Sequence, residues 1–402
     1  MQPLGWARSM NIFHPPLLEL SPLVRAIPEN PLRALYPFAA RKGMLNLASG
    51  HPSSDAYDLE GLAEATQRAT ADFSAWSYGS SAGDPELIAA LASLSPVRPD
   101  GSTMIVTSGA QQAVDLALRS LCAPGDWVAL PEPVYPAVLS ICAAQGLHIL
   151  PYRVTPDDPA CESLSAALEG KRICAIYAQP TFSNPTGETW DQPMRQRFLE
   201  ICAMRGIPII EDDPYRSLWL TSPPPPTLLT LSAGLENSTV IWAASLSKTL
   251  APGLRLGWAI VPRELAGPMT ALRQAGDLQP NALAQRVAVQ YLALDRLDQH
   301  LMRVRDLYRC RRDRLAHALE RAGFNFTVPR GGMFFFAALP EGANPDGLFE
   351  RAIARNVLYA LGSAFALDAR QPGFETHLRL CFTGLDAETL AIAAERLIAA
   401  IT

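Results

Sequence analysis

The sequence has little that would place the protein in a membrane, outside the cell or on nucleic acid. Its 402 residues contain no apolar run long enough to cross a bilayer, and the start, Met1–Arg8, lacks the apolar core of a signal peptide. The seven cysteines include no Cys-x-x-Cys pair, which argues against a disulfide framework and predicts buried thiols in a reducing compartment. The net charge of −5 offers no attraction to nucleic acid. We therefore expect a cytoplasmic enzyme.

Apolar runs alternate with helical patterns through the first two thirds of the chain. The runs typical of buried strands lie near residues 103–107, 127–130, 147–154, 173–178, 207–211, 239–244 and 256–261. The helical patterns between them include 111–122, 134–145 and 192–205. This alternation predicts an α/β fold in which helices cover a mainly parallel sheet. Ligands of such sheets bind at the carboxyl ends of the strands.

The pattern changes after about residue 275. A long helical stretch at about 281–321 leads to two segments, 324–328 and 333–336, that are typical of strands in a second, antiparallel sheet. A helix from about residue 386 to the end completes this part of the chain.

These patterns predict two domains. The large domain would comprise residues 55–275, and the smaller domain would combine residues 276–402 with an N-terminal arm, residues 1–54. The arm is too rich in proline for one continuous helix. Its prolines include Pro15, Pro16, Pro22, Pro28 and Pro31.

A segment after the sixth apolar run surrounds one lysine with groups that can hold a phosphate. Lys248 stands between the hydroxyls of Ser245 and Ser247 and the guanidinium of Arg255. A buried lysine amine can form a Schiff base with an aldehyde, while hydroxyls and arginine bind phosphate oxygens. Pyridoxal 5′-phosphate (PLP) carries both an aldehyde and a phosphate, so this segment indicates PLP as the cofactor.

Acidic residues at the end of another predicted strand suit the ring of the same cofactor. The ring nitrogen must stay protonated if PLP is to act as an electron sink, which requires a carboxylate beside it. Asp212 is the preferred candidate, because Tyr215 three residues later could donate to the ring oxygen; Asp213 competes with it. Asn184, in an Asn-Pro-Thr-Gly turn, could donate to that oxygen as well.

A glycine separates a strand from a helix in the segment Val106–Gln112. The first backbone N–H groups of a helix have no partner within the helix, and the helix dipole favours an anion there. This segment is therefore a candidate phosphate site, although such turns are common.

The segments together resemble the fold-type I PLP-dependent enzymes of the class I/II aminotransferase family, in the branch of 2-aminoadipate and aromatic aminotransferases. The similarity extends from about Asn46 to the C-terminus. The motifs follow the order of this family: Tyr78–Leu87, Thr107–Gln111, Pro133–Tyr135, Asn184–Gly187, Asp212–Tyr215, Ser245–Arg255 and Leu378–Leu380. The resemblance implies a mostly parallel sheet of seven strands, with 256–261 as the antiparallel member, and a smaller α+β domain.

The resemblance also implies roles for residues in the cofactor site. Lys248 would hold PLP as an internal aldimine and move the proton, and Asp212 would pair with the ring nitrogen. Tyr215 and Asn184 would donate to the ring oxygen, and Tyr135 would stack on the ring. The phosphate would be surrounded by Ser108, Gly109, Ala110, Gln111, Ser245, Ser247 and Arg255. Ala110 stands where many relatives carry a hydroxyl residue, so one side-chain donor would be missing.

Other implied residues would contact the substrate or a second subunit. Arg379 would bind the substrate α-carboxylate as a bidentate fork, with Asn184 and Gly50 beside the substrate. Tyr78 would reach the phosphate of a neighbouring subunit, which implies a homodimer with shared sites. His51, next to Gly50, has no assigned role, and no metal is implied.

The expected activity is transfer of an α-amino group from an amino acid to a 2-keto acid by a ping-pong mechanism. PLP-dependent elimination, replacement, cyclisation or oxidation remains an alternative, because the early chemistry is shared. An effector-binding role, as in transcription regulators that carry this domain, is disfavoured because only about 45 proline-rich residues precede the first motif.

The substrate side chain is indicated only weakly. Four aromatic residues could line an apolar pocket and favour a neutral or aromatic amino acid: Tyr36, Trp76, Phe334 and Phe335. Three arginines of the arm could instead bind a side-chain carboxylate: Arg25, Arg33 and Arg41.

Overall fold

The structure, a computed structural model, describes residues 19–159, 161–367 and 374–401. Its strands are β1 Leu45–Asn46, β2 Ser102–Thr107, β3 Trp127–Pro131, β4 His148–Tyr152, β5 Ile173–Ala178, β6 Ile209–Asp212, β7 Val240–Ser245, β8 Gly257–Pro262, β9 Phe334–Ala338, β10 Val357–Leu358, β11 Ala360–Leu361 and β12 His377–Cys381. Its α-helices are α1 Pro22–Ala26, α2 Tyr36–Ala39, α3 Leu59–Thr70, α4 Pro85–Ala92, α5 Ala110–Leu121, α6 Pro136–Ala144, α7 Glu162–Ala167, α8 Gln192–Met204, α9 Leu228–Leu231, α10 Arg263–Gly276, α11 Ala282–Ala293, α12 Leu297–Arg321, α13 Leu348–Ala354 and α14 Ala387–Ile401. Short 3-10 helices lie at Arg33–Leu35, Ser54–Ala56, Phe73–Trp76, Pro252–Leu254 and Gly362–Phe365.

A sheet of seven strands in the order β2-β8-β7-β6-β5-β3-β4 lies at the centre of the fold. Strand β8 is antiparallel to both of its neighbours, and the other neighbouring pairs are parallel. The predicted α/β fold, with 256–261 as the antiparallel member of a mostly parallel sheet, is thus confirmed.

Helices cover both faces of this sheet, which explains why its strands read as continuous apolar runs. Every residue of β7 is buried. Side chains alternate across a strand, so Trp242 of β7 packs on one face with helices α8 and α11, whereas Ile241 packs on the other face with α5 and α10. The strand that leads to Lys248 is therefore held by packing on both of its faces.

A second, antiparallel sheet has the order β11-β12-β9. Helices α12 and α14 pack together, and buried side chains of both belong to the same apolar core as the sheet. Strand β1, near the start of the chain, pairs in parallel with β10, so N-terminal residues join this part of the fold. The division into domains at residues 54/55 and 275/276 stays a prediction.

Two predictions about elements were wrong in detail. The predicted helix at 281–321 is two helices, α11 and α12, because Asp295 between them adopts a left-handed φ of +56°. The predicted strand at 324–328 forms only one isolated bridge, between Asn325 and Ala338. Phe324 is buried in the core, and Pro329 shortly after it has no N–H to continue a ladder.

The described part of the arm forms the short helices α1 and α2, as its prolines predict. Pro15 and Pro16 lie outside the described residues. Among the residues that the structure describes, no helix has the length and hydropathy required to span a bilayer.

Candidate active site

Three neighbouring parallel strands deliver the central residues of the candidate site. Asp212 ends β6, Lys248 follows the end of β7, and Asn184 lies in the loop after β5. The carboxyl ends of parallel strands meet at one edge of the sheet, so these residues converge although they are far apart in the sequence.

Lys248 lies in a confined position beside the N-terminal part of the chain. Its Nζ donates a hydrogen bond to the Gly50 carbonyl oxygen at 2.7 Å. A Cβ on Gly50 would lie 2.7 Å from Phe334 Cζ, so a residue with a side chain does not fit there without movement. Burial, together with the nearby cations Arg379 and Arg255, lowers the pKa of Lys248 to about 8. About a tenth of this amine is therefore neutral and nucleophilic at pH 7, far more than of an ordinary lysine.

This lowered pKa predicts how cofactor uptake depends on pH. Only the neutral amine reacts with an aldehyde, so the rate of covalent PLP attachment to apoenzyme should rise with pH and level off above about 8. An ordinary lysine would keep gaining rate up to roughly pH 10.4. Stopped-flow absorbance of apoenzyme mixed with PLP between pH 6 and 10 measures this profile. A rate that still rises steeply from pH 9 to 10 contradicts the assignment of a perturbed lysine.

Asp212 combines a firmly held oxygen with a free one. Its Oδ2 accepts hydrogen bonds from the Tyr177 hydroxyl at 2.7 Å and from Gln179 Nε2 at 2.9 Å. Its Oδ1 is buried and has no hydrogen-bond partner among the described residues. Burial raises the pKa of Asp212 to about 6. A buried acceptor without a donor is costly, so a ring N–H would fit at Oδ1.

Asp213, the competing acid, has partners of a different kind. Its Oδ2 accepts from Trp242 Nε1 at 3.2 Å and lies 3.5 Å from Arg216 Nη1. Its Oδ1 also lacks a hydrogen-bond partner among the described residues. The charge of Lys248 lowers the pKa of Asp212, whereas the cations that do so for Asp213 are Arg216 and Arg195. The structure therefore places Asp212, and not Asp213, with Lys248.

Helix α5 begins beside a cluster of hydroxyl and guanidinium groups. Its N-cap, Gly109, has a φ of +89°, and a Cβ there would lie 2.9 Å from Arg255 Nη2. A Cβ on Gly257 would lie 2.7 Å from the Ala110 nitrogen. The two glycines thus let the guanidinium and a neighbouring strand approach the helix N-terminus, where the first N–H groups need acceptors.

The side chains around the N-terminus of α5 contact one another. Arg255 donates to the Ser108 carbonyl oxygen at 3.2 Å and lies 3.4 Å from Ser247 Oγ. The hydroxyls of Ser245 and Ser247 are 2.9 Å apart. Gln111 is exposed on the first turn of α5. The structure thus brings Ser108, Ser245, Ser247 and Arg255 together beside the backbone of Gly109 and Ala110, whereas no contact of the Gln111 side chain with this group is found among the described residues.

Arg379 is buried, with 2% of its surface exposed, at the centre of the smaller sheet. Its Nη1 donates to Asn184 Oδ1 at 2.9 Å, its Nη2 donates to the Ala48 carbonyl oxygen, and its Nε has no partner among the described residues. The guanidinium lies 4.3 Å from the ring centroid of Phe334 and 4.8 Å from that of Phe365. Burial lowers the pKa of Arg379 to about 10, so it stays charged at neutral pH. A carboxylate would satisfy this buried cation.

The tyrosines of the site differ in burial. Tyr215 is buried at an edge-to-face distance of 6.0 Å from Phe334, and burial raises its pKa, so its hydroxyl can donate at neutral pH. Tyr135 is partly buried at the start of α6, and burial together with the nearby charge of Asp212 raises the pKa of its hydroxyl. Tyr78 is 88% exposed, so this chain alone does not bring it into the site.

The structure separates the residues suggested for the substrate side chain. Phe334 faces Tyr215 and Arg379, but Phe335 points to the other face of β9 and packs in the core against Phe326 and Phe382. Phe335 was therefore a wrong choice for the pocket. Tyr36 and Trp76 are 65% and 62% exposed.

The side chains of two of the three arginines of the arm contact other residues of the arm. Arg25 pairs with Glu19 at 3.2 Å, and Arg41 lies 4.6 Å above the Phe38 ring. Arg33 is exposed.

Sequence reasoning missed three residues that support the site. Tyr177 and Gln179 hold Asp212, and Arg273 donates to Ser108 Oγ at 3.1 Å. A tyrosine inside a buried apolar strand was a usable signal, since a buried hydroxyl needs a partner. Gln179 and Arg273 gave no local signal.

The site fits PLP on features of this structure: a lysine with a lowered pKa, a buried carboxylate oxygen without a donor, and a helix N-terminus flanked by Arg255. Its sheet and site together define a fold-type I PLP-dependent enzyme. The profile of the family "Aminotransferase class I and II" matches residues 42–397, and the chain belongs to this family.

Individual relatives agree with this assignment. The chain is 33% identical over 371 residues to a 2-aminoadipate transaminase of Thermus thermophilus, covering 91% of this chain and 92% of the relative. It is 30% identical over 380 residues to aromatic-amino-acid aminotransferase 1 of Thermococcus litoralis, covering 91% and 90%. The crystal structure of the α-aminoadipate aminotransferase of Thermus thermophilus, complexed with N-(5′-phosphopyridoxyl)-L-leucine, superposes with a TM-score of 0.85 at 32% identity, covering 95% of this chain and 97% of that chain.

The protein is therefore a PLP-dependent aminotransferase, and the prediction of this activity is confirmed. The comparisons do not support the alternative of elimination, replacement, cyclisation or oxidation.

Proposed function

We propose that this aminotransferase takes its amino group from a neutral or aromatic amino acid and passes it to a 2-keto acid. The observation that carries this proposal is the setting of Arg379, a buried cation between the rings of Phe334 and Phe365. A carboxylate bound there would leave the substrate side chain beside aromatic surface. Arg25 and Arg41, which could have bound an acidic side chain, interact with Glu19 and Phe38.

Each residue of the site has a role in this proposal. PLP, when bound, supplies the electron sink for the charge left on the substrate α-carbon. Arg379 would hold the substrate α-carboxylate, and the neutral Lys248 amine would accept the substrate α-proton and later give it up as a general acid. Asp212 would keep the ring nitrogen protonated, Tyr215 and Asn184 would donate to the ring oxygen, and Tyr135 would cover the ring face. Gly50 accepts the Lys248 hydrogen bond, and its lack of a side chain lets its backbone lie against Phe334 beside the proposed substrate position.

The phosphate would be held at the N-terminus of α5. Backbone N–H groups and side chains would share the charge of the phosphate, so that no single donor is decisive. The residues in this role are Ser108, Gly109, Ala110, Gln111, Ser245, Ser247 and Arg255.

Replacing Arg379 with lysine tests the carboxylate site. Lysine keeps the charge but not the planar fork, so we expect KM for the amino acid to rise by roughly 10- to 100-fold with a smaller change in kcat. Steady-state kinetics of the variant measure both constants. Arg305, which lies 4.2 Å above the Trp219 ring, offers a matched control, because Arg305→Lys changes the same group outside the site. An unchanged KM in Arg379→Lys contradicts the role of Arg379.

A panel of amino donors tests the proposed substrate. We expect kcat/KM with 2-oxoglutarate as acceptor to be higher for phenylalanine and leucine than for 2-aminoadipate or aspartate. A preference for the dicarboxylic donors would overturn the substrate proposal and leave the aminotransferase activity intact. The names of relatives include both 2-aminoadipate and aromatic amino acids, so they do not decide between these classes.

We further propose a homodimer in the cytoplasm. Tyr78, Phe73 and Trp76 are 88%, 82% and 62% exposed, and such neighbouring exposed aromatic side chains are typical of an interface. Tyr78 would then reach the phosphate of the second subunit.

The seven cysteines are free, which suits a reducing compartment. Sedimentation equilibrium should give twice the mass of one chain and cell fractionation a cytoplasmic protein; a monomer or a secreted protein would contradict this proposal.

A further inference from the structure

Gln179 connects two parts of the site that the proposed mechanism treats separately. It follows the last residue of β5 and is 5% exposed. Its Nε2 donates to Asp212 Oδ2 at 2.9 Å, and its Oε1 accepts a hydrogen bond from the Asn184 backbone N–H at 3.0 Å. Both ends of one buried amide are thus used, each toward a different residue of the site.

The contact with Asn184 extends the connection to the substrate carboxylate. Asn184 Oδ1 accepts the hydrogen bond from Arg379 Nη1 at 2.9 Å. A continuous series of hydrogen bonds therefore runs from Asp212 through Gln179 and Asn184 to Arg379. Tyr177 makes the other hydrogen bond to Asp212 Oδ2, but no bond from it to Asn184 is found among the described residues.

We propose that Gln179 is a positioning residue that sets the orientation of both the Asp212 carboxylate and the Asn184–Arg379 pair. This inference rests on the proposed roles of these residues at the ring nitrogen and at the substrate carboxylate. A neutral amide suits the position because it donates and accepts at the same time. An apolar side chain would leave the buried Asn184 N–H without an acceptor and would remove one donor from Asp212.

Gln179→Met and Tyr177→Phe form a matched pair of variants. Both remove one hydrogen bond to Asp212 Oδ2, and only Gln179→Met also removes the acceptor for Asn184. Two properties of the holoenzyme are measured. The first is the pH midpoint of the visible absorbance of bound PLP, which reports the surroundings of the ring. The second is the Kd of 3-phenylpropanoate, an unreactive carboxylate, obtained from its effect on that absorbance.

The inference predicts that the absorbance midpoint moves in the same direction in both variants. The Kd of 3-phenylpropanoate should increase about tenfold in Gln179→Met and by less than about twofold in Tyr177→Phe. Gln179→Glu keeps an acceptor for the Asn184 N–H, and a proton shared between the new carboxyl group and Asp212 takes the place of the amide donor, since two adjacent buried carboxylates do not both ionise. This variant should therefore bind 3-phenylpropanoate nearly as well as the wild type. It also serves as the second variant if Gln179→Met does not load PLP.

The following results would overturn the inference. An equal Kd in the wild type and in Gln179→Met, or an equal loss in Tyr177→Phe, would show that Gln179 does not act on the carboxylate site. The same conclusion follows if Gln179→Glu loses as much affinity as Arg379→Lys. If Arg379→Lys itself binds like the wild type, the proposed function fails together with the inference. A weakened Arg379→Lys with a normal Gln179→Met overturns the inference alone.

Discussion

Replacement of Lys248 with alanine is expected to lower kcat for transamination by about 10⁴-fold, the upper range for loss of a general acid–base. The variant loses the amine that we propose attaches PLP and moves the α-proton. We expect PLP to bind without covalent attachment, because the residues at the N-terminus of α5 that we propose bind its phosphate are unchanged. Mass spectrometry after borohydride reduction should find no PLP on the chain, whereas the wild type should carry it on Lys248.

Lys171→Ala is the control for this variant. Lys171 lies 3.9 Å above the ring of Trp127, the first residue of β3, and therefore at the amino ends of the parallel strands, opposite the candidate site. Its loss should leave PLP attachment and kcat unchanged. If PLP is found on another lysine of the Lys248→Ala protein with normal turnover, Lys248 is not the attachment site.

The second large effect is expected for Asp212→Asn. An amide cannot keep the ring nitrogen protonated, so kcat should fall by roughly 10²- to 10³-fold, the range seen when one preorganised electrostatic partner is removed. Asp213→Asn is the matched control. Asp213 interacts with Trp242 and Arg216, so this variant should lose stability and keep kcat within about tenfold of the wild type. If Asp213→Asn loses more activity than Asp212→Asn, the choice between the two acids was wrong.

The stability of the apoenzyme tests whether burial raises the pKa of Asp212. Burial raises the pKa of Asp212 from 3.8 to about 6, so between these values the folded protein holds a proton that the unfolded chain has lost. The free energy of unfolding therefore falls as the pH rises from 3.8 to about 6. At pH values above this window, the contribution of Asp212 makes it lower by up to roughly 3 kcal/mol. Apo Asp212→Asn should be at least as stable as the apo wild type at pH 7 in urea denaturation. A clearly less stable variant would show that the carboxylate is stabilised in the empty site.

The fold could be predicted from sequence where one physical cause dominated. Strands covered on both faces become apolar throughout, so runs such as 240–244 and 173–178 identified the central sheet. The segment 324–328 has alternating apolar residues as well, but Phe324 enters the core and Pro329 ends the pairing. The break between α11 and α12 depends on the left-handed backbone conformation of Asp295. The residues on both sides of Asp295 have a helical sequence pattern, so the sequence did not predict this break.

The candidate site was predictable to the extent that PLP chemistry requires particular residue types near one another. Lys248, Asp212 and Arg255 bear charges that such a site needs, and they occur in recognisable motifs. Gln179 and Arg273 could not be found in this way, because they act on other residues and their partners are distant in sequence. Asp212 and Asp213 were separable only once the partners of each carboxylate were known.

The most direct test is a half-reaction of the holoenzyme with phenylalanine in the absence of any keto acid. We predict that bound PLP is converted to pyridoxamine phosphate with one equivalent of phenylpyruvate released, and that added 2-oxoglutarate restores PLP and yields glutamate. The Lys248→Ala protein should carry out neither step at a comparable rate. Release of ammonia, uptake of oxygen, or conversion that is equally fast without Lys248 would contradict the account.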